Sequence, residues 1–293
     1  MLIVILIKQG GYMRPVTGNS ILITGCSSGI GLCVARNMHD LGWNVVAACR
    51  KKKDSTLIQE NYGINSVVID YEKEETIFSG LKLALEKMGG RLDVLFNNGA
   101  YAMPGAVEDI PVDSLKKIFE ANFFGWHSLT KAVIPVMRKQ GFGRIIQNSS
   151  VLGFAALRYR GAYNATKFAL EGLTDTLRLE LYDTGIKVIL IEPGPIRTKI
   201  RQNSYVHFKK WIKWETSPNR IAYEKYLIPR LEQIDPPMDR FELMPNAVSR
   251  AVIHACTAKN PHHRYRVTFA TKIMMVLKRL LPSGIFDLIA RKI

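Results

Sequence analysis

A short β-branched run, Ser20-Ile21-Leu22-Ile23-Thr24, leads straight into the glycine-rich turn Gly25-Cys26-Ser27-Ser28-Gly29-Ile30-Gly31, and the amphipathic stretch Leu32 to Leu41 follows. Strand, glycine turn, helix is the context that lifts a glycine motif above a chance match. A backbone carrying Cβ atoms cannot come close to a pyrophosphate, and a helix N-terminus aims its free N–H groups and positive dipole end at an anion. The plainer reading is a tight turn without a ligand.

The rest of the chain repeats the alternation. Strands are expected at Asn44 to Cys49, Ser66 to Asp70, Leu92 to Phe96, Arg144 to Asn148 and Lys187 to Ile191. Helical patterns fall at Glu74 to Met88, at Val112 to Lys139 with a bend at Pro135, and from the Tyr163 region to about Asp183. Strands alternating with helices, with glycine and polar residues gathered after the strands, predict an α/β fold with a doubly wound parallel sheet. Asn97-Asn98-Gly99-Ala100 and Glu192-Pro193-Gly194-Pro195-Ile196-Arg197-Thr198 would then lie at the carboxyl edge, where open α/β sheets bind ligands.

The end of the second strand normally selects between dinucleotides: an acid there accepts from a ribose 2′-hydroxyl, while arginine accommodates a 2′-phosphate. Here Cys49 is followed by Arg50-Lys51-Lys52-Lys53, with no carboxylate before Asp54. The expected cofactor is therefore NADP(H), with Arg50 and Lys51 at the phosphate and Asp70 beside the adenine; a solvated basic loop is the alternative for Lys52 and Lys53.

In Tyr163-Asn164-Ala165-Thr166-Lys167 a phenol and an ammonium stand four residues apart, on one face of a helix. A free tyrosine has a pKa of about 10. A nearby cation would favour the phenolate and bring that pKa toward the working range, making the pair a proton donor and acceptor. Asn122, inside the long helix, is either exposed and incidental or buried for its hydrogen bonds.

Composition narrows the partners. The net charge of +16 raises nucleic acid or an anionic membrane surface. The excess is localised: from Lys199 to Arg230 eight basic residues face two acidic ones, and from Lys259 onward eight face one. A backbone-binding basic face should bear on the core fold, so nucleic acid is not expected. Cys26, Cys33, Cys49 and Cys256 form no C-x-x-C pair and suggest neither a metal site nor disulfides. The apolar run Leu2 to Ile7 is too short to span a bilayer, and Met13 offers an alternative start; a cytoplasmic protein is expected.

With these residues laid out, the chain resembles the short-chain dehydrogenase/reductase family over roughly residues 20 to 255. Its form T-G-x-x-x-G-x-G appears as Thr24, Gly25, Gly29 and Gly31; Ser150 precedes Tyr163 by thirteen residues, Lys167 completes that pattern, and Asn122 sits in Ala121-Asn122-Phe123-Phe124-Gly125. The family's Asn-Asn-Ala-Gly is here Asn97-Asn98-Gly99-Ala100, which predicts a modest change in loop geometry.

The resemblance implies a single Rossmann-like domain over residues 20 to 270, preceded by a tail of residues 1 to 19. It implies a catalytic tetrad of Tyr163, Lys167, Ser150 and Asn122. Cofactor contacts would come from Gly25, Ser27, Ser28, Gly29, Ile30, Gly31, Arg50, Lys51, Asp70, Asn98, Gly99, Tyr163, Lys167, Pro193, Gly194, Ile196 and Thr198. Tyr163 would exchange a proton with the substrate oxygen while hydride passes between nicotinamide and carbonyl carbon. A homo-oligomer, dimer or tetramer, follows by the same analogy.

Between Lys199 and Leu243 an insertion carries Tyr205, His207, Phe208, Trp211, Trp214, Tyr223 and Tyr226. It suits an apolar aldehyde, ketone or alcohol, a lipid surface, or a packed lid. Sugar or acyl-chain carbonyls, and a dinucleotide sensor without turnover, are the competing functions. In the tail of residues 271 to 293, Ile273, Val276, Leu277, Leu280, Ile285, Leu288 and Ile289 recur at helical spacing among Lys272, Lys278, Arg279, Arg291 and Lys292. Such a tail either docks on protein or lies against the inner face of an anionic membrane.

Overall fold

The computed structural model describes residues 19–234 and 237–291. The N-terminal run with Met13, and Lys292, lie outside the described residues. In chain order the elements are β1 (Ser20–Thr24), α1 (Gly29–Asp40), β2 (Asn44–Cys49), α2 (Lys52–Tyr62), β3 (Asn65–Val68), α3 (Glu74–Lys87) and β4 (Val94–Asn97). Then come α4 (Val112–Phe119), α5 (Gly125–Gln140), β5 (Gly143–Asn148), α6 (Gly161–Glu180) and β6 (Ile186–Glu192). The lobe helices α7 (Ile200–Trp211) and α8 (Ile228–Glu232) precede α9 (Pro245–Thr257), β7 (Arg264–Arg266), α10 (Phe269–Leu280) and α11 (Ser283–Ala290).

All strand pairs are parallel, in the order β3-β2-β1-β4-β5-β6-β7. The order reverses between β1 and β4, and the crevice this opens at their carboxyl ends is where such sheets bind ligands. Every residue of β1 is buried because helices cover both faces. Ile21 and Ile23 pack on one side with Val34 and Met38 of α1 and Val248 and Val252 of α9. Leu22 points to the other side, toward Trp126, Leu129 and Val133 of α5 and Leu170 of α6. Each such fully buried aliphatic side chain contributes about 1.5–3 kcal/mol. The doubly wound sheet expected from the alternation is the fold observed, with β7 as a further strand.

Several boundaries differ from the sequence expectation for identifiable reasons. β4 starts at Val94 because the Gln140 side chain takes both backbone groups of Leu92, at 2.8 Å and 2.9 Å. β3 stops at Val68, and the Asp70 N–H turns to Thr76 Oγ1 at 2.9 Å. The single helix expected from Val112 to Lys139 is interrupted by a π turn at Glu120–Phe124, whereas α5 runs unbroken through Pro135. The irregularity thus falls on Asn122.

The excursion after β6 has its own small core of Phe208, Ile212, Tyr223, Leu227 and Leu231. Its two ends are clasped together: Arg197 N–H donates to Leu243 C=O at 2.9 Å, Leu243 N–H donates to Pro195 C=O at 3.1 Å, and Ile196 pairs with Leu243. The tail helices turn Met274 and Phe286 inward against Ala155, Val151 and Phe154. All four cysteines are free.

Arg144, on β5, is buried and donates to the last carbonyls of α9, to Ala255 C=O and, at 2.7 Å, to Ala258 C=O. Arg144→Leu leaves those carbonyls without that donor and is expected to destabilise the fold by about 2–4 kcal/mol in urea titration.

Candidate active site

The crevice is built from backbone brought into close contact. Gly25 has φ of +69°, in the left-handed region, and a Cβ there would stand 2.5 Å from Gly99 Cα. One on Gly31 would overlap the Gly25 carbonyl and lie 2.8 Å from Asn98 Nδ2. Gly29 abuts Thr198, whose Cγ2 would be 3.2 Å from an added Cβ. The Thr24 hydroxyl accepts from the N–H groups of Asn98 (2.8 Å) and Gly99 (3.2 Å), fixing the β4 loop against the β1 turn. The first turn of α1, Gly29-Ile30-Gly31, contains no acidic residue, and Ser28 makes no side-chain cap there. This cradle fits an anion such as a dinucleotide phosphate.

The other expected contacts surround it. Ser27 is exposed and Ser28 half-buried at the same turn; Arg50 and Lys51 are exposed at the end of β2. Lys52 and Lys53, for which a solvated loop is the alternative reading, form the first turn of α2. Asp70 holds a turn by accepting from Glu72 N–H at 3.2 Å. Pro193 C=O accepts from Val151 N–H at 2.8 Å, and a Cβ on Gly194 would overlap Thr268 Oγ1 at the start of α10. Ile196 lies at the base of the lobe, paired with Leu243.

Tyr163 and Lys167 lie on the first turns of α6, with 9% and 1% of their surface exposed. Ser150, following β5, is near enough to the Tyr163 hydroxyl to act on its pKa, and it accepts from Leu152 N–H at 3.1 Å. Lys167 Nζ donates to Asn148 C=O at 2.7 Å and sits 4.3 Å from the centre of the Trp126 ring and 5.6 Å from that of Tyr163. Asn122 is fully buried, so of its two readings the buried one holds. Its amide exchanges hydrogen bonds with the Tyr101 backbone at 3.1 Å and 2.8 Å, and its Nδ2 reaches Thr166 Oγ1 at 3.4 Å.

The electrostatics reverse a sequence expectation. Burial raises the Tyr163 pKa well above the ordinary phenol value, and the neighbouring Ser150 hydroxyl opposes this only in part. The Lys167 charge does not offset it, because its ammonium is itself desolvated and directed at Asn148 and Trp126. Burial pushes the Lys167 pKa down to about 7, against the pull of Glu171 one turn further along.

Three contributors were not singled out in the sequence. Trp126 supports the lysine and donates from Nε1 to Gly99 C=O at 2.8 Å. Asn148 links Lys167 to Asn98, donating from Nδ2 to Asn98 Oδ1 at 2.8 Å. Thr24, noted only as a motif residue, anchors two N–H groups. Among the described residues no group of three or more His, Cys, Asp and Glu is placed to hold a metal ion, and no helix is long and apolar enough to cross a membrane.

Residues 19–207 match the family described as short chain dehydrogenase, and the chain belongs to that family of oxidoreductases. It is 40% identical over 272 residues to the "Uncharacterized oxidoreductase YbbO" of Escherichia coli, covering 93% of this chain and 94% of the relative. It is 31% identical over 269 residues to a 3-ketodihydrosphingosine reductase of Bacteroides thetaiotaomicron, covering 91% and 94% of the two chains. A crystal structure of a Burkholderia phymatum short-chain dehydrogenase/reductase in complex with NAD superposes with a TM-score of 0.74 at 23% identity, covering 92% of this chain and 94% of that one.

A lysine whose pKa falls from 10.5 to about 7 on folding binds fewer protons folded than unfolded between those values, so stability rises with pH across that window. Urea titrations from about pH 7 to about pH 10 should show that rise in the wild-type chain and a smaller one in Lys167→Met.

Proposed function

We propose that the chain is an NADP(H)-dependent oxidoreductase that interconverts an apolar aldehyde or ketone and its alcohol, with Tyr163 as the acid and base. The observation that carries the reading is buried Tyr163, with the Lys167 ammonium 5.6 Å from its ring centre, in the same crevice as the glycine cradle. A nicotinamide dinucleotide would supply or accept the hydride.

The cradle of Gly25, Gly29 and Gly31 would take its pyrophosphate, Asn98, Gly99 and Ile196 to Thr198 would border it, and Lys167 would hold its ribose. Arg50 and Lys51, exposed beside the turn with no nearer carboxylate than Asp54, favour a 2′-phosphate over a bare 2′-hydroxyl. The raised pKa keeps Tyr163 protonated at neutral pH, ready to donate to a developing alkoxide. Ser150 would hold the same oxygen, a donor placed in advance where charge develops. Asn122 would act through position, fixing the Tyr101 loop and the start of α6 on opposite sides of the π turn.

An apolar substrate accords with the surroundings of the phenol. Tyr163 packs in a cluster with Tyr101, Met103, Ala162, Leu152 and, from the lobe, Trp211. His207 of the lobe stacks on Tyr101 with ring centres 3.9 Å apart, so the lobe covers the crevice. The relative named 3-ketodihydrosphingosine reductase is in keeping with a ketone on an apolar body.

Two further parts belong to the proposal. Phe124 and Phe168, exposed on neighbouring parts of the π turn and α6, would meet a second copy of the chain in a homo-oligomer. The tail docks one face on the protein, while Ile273, Val276, Leu280, Ile285 and Leu288 remain exposed among Lys272, Lys278, Arg279 and Arg291. An apolar stripe with a cationic rim fits the interface of an anionic bilayer.

Tyr163→Phe should lower kcat/KM for NADPH-driven reduction of long-chain aldehydes and keto-steroids by about 10²- to 10⁴-fold, with NADPH binding retained. Near-full turnover by the variant, or a preference for NADH in the wild type, would refute the assignment. The full-length chain should float with vesicles containing phosphatidylglycerol, and Val276→Glu with Leu280→Glu should weaken that partitioning by about tenfold or more.

A further inference from the structure

The lobe is tied to the scaffold a second time, away from the clasp at Ile196 and Leu243. Tyr223 is fully buried in the lobe core, and its hydroxyl uses both of its hydrogen-bonding roles on the loop after β4. It accepts from Ala106 N–H at 2.8 Å and donates to Asp109 Oδ2. The same Asp109 oxygen accepts from Ser217 Oγ at 2.6 Å and from Asn219 Nδ2 at 3.4 Å, and Asn219 Nδ2 also donates to Glu108 Oε1 at 2.7 Å. Donors from three lobe residues thus converge on one carboxylate, an acceptor that makes stronger hydrogen bonds than a neutral oxygen. Burial, and next the bond to Asp109, raise the Tyr223 pKa, so the phenol remains the donor.

This bolt stands beside the reacting centre. Asp109 closes the short turn Val107–Asp109, and the next residue, Ile110, packs both on the cluster that holds Tyr163 and on the lobe core. Gly105 in the same loop donates its N–H to Tyr159 C=O at 3.0 Å, just ahead of α6. Asp109 and Ser217 line a cavity of about 330 Å³ together with Trp211, the lobe residue that packs against the Tyr163 cluster. A lobe fastened at the clasp alone is free to swing about it. Fastened at both places, α7 keeps one position over the crevice, with His207 on Tyr101 and Trp211 at the phenol.

We propose that Asp109 and Tyr223 are positioning residues for the substrate: the bond between them fixes the free side of the lobe, and with it the spacing of Trp211 from Tyr163 that the apolar body must fit. The inference rests on the reading of Tyr163 as the reacting centre. It assigns substrate affinity to a pair that acts through Trp211 and not on the reacting atoms. Ground state and transition state carry the same apolar body, so loosening the bolt weakens the binding of both alike. KM then rises while kcat is nearly unchanged.

Tyr223→Phe removes the hydroxyl and keeps the ring in the lobe core; Asp109→Ala removes the acceptor. Opening of the lobe is read without turnover, as the rate of tryptic cleavage in the full chain at Lys209 and Lys210 of α7 and at Lys213 just after it. These side chains are exposed, but helical backbone resists the protease, so cutting there follows local opening. Each variant should be cut about tenfold or more faster than the wild type, the double variant no faster than the quicker single one, and Asp109→Asn, which retains an acceptor oxygen, at a rate between. In NADPH-driven reduction of a long-chain aldehyde, KM should rise about tenfold in both single variants, with kcat and NADPH affinity within about twofold of the wild type. Arg144→Leu, which weakens the fold at β5 and α9, controls for a general loss of stability and should leave KM unchanged. Ser217→Ala, at the half-buried edge of the bolt, should raise cleavage several-fold and decides the matter if the other variants fail to fold. Unchanged cleavage in the folded variants, effects that add in the double variant, or a loss of kcat at constant KM overturns the proposal. Absence of turnover in every form of the chain, with cleavage as expected, strikes the reading of Tyr163 and leaves the bolt standing.

Discussion

The buried ammonium of Lys167 is the contact on which the crevice depends. With almost no exposed surface, it is held by the Asn148 carbonyl at 2.7 Å and by the face of Trp126. From Asn148 the side-chain amide passes to Asn98 at 2.8 Å, and Asn98 donates to the Thr24 carbonyl at 3.0 Å. The ends of β1, β4 and β5 and the first turns of α6 are thereby joined in one chain of polar contacts. The glycine turn and the tyrosine are placed by the same network. Moving one moves the other.

The last strand reinforces this from beneath. Arg264 on β7 reaches Glu192 on β6 and Glu171 and Asp175 on α6, with the Asp175 contact at 2.5 Å. Glu171 is one turn beyond Lys167 and opposes the loss of its proton, so the outermost strand enters the electrostatics of the crevice. Buried ion clusters of this kind add little net stability, and their stronger effect is to fix one geometry. Here the geometry fixed is the angle of α6 to the sheet.

The sheet and its central elements were legible because β1 and β2 are short apolar runs bounded by turns, and because the spacing of Gly25, Gly29 and Gly31 follows a strand. The helix Lys52–Tyr62 was not, since its basic start reads as a solvated loop and only Ser55 and Ile58 are buried on it. β7 is three residues long and half-buried throughout, too short for a periodic signal. The π turn at Asn122 has no pattern of its own. The pKa of Tyr163 was misjudged in direction because residue spacing counts charges and not the loss of water around them.

The clasp at Ile196 and Leu243 has a consequence for how such a chain can diversify. With both ends of the excursion pinned to each other by backbone groups, its length and composition are uncoupled from the register of the sheet. Insertions or deletions between these positions leave the sheet in register, and a cassette that replaced Trp211 or His207 would change what lines the crevice.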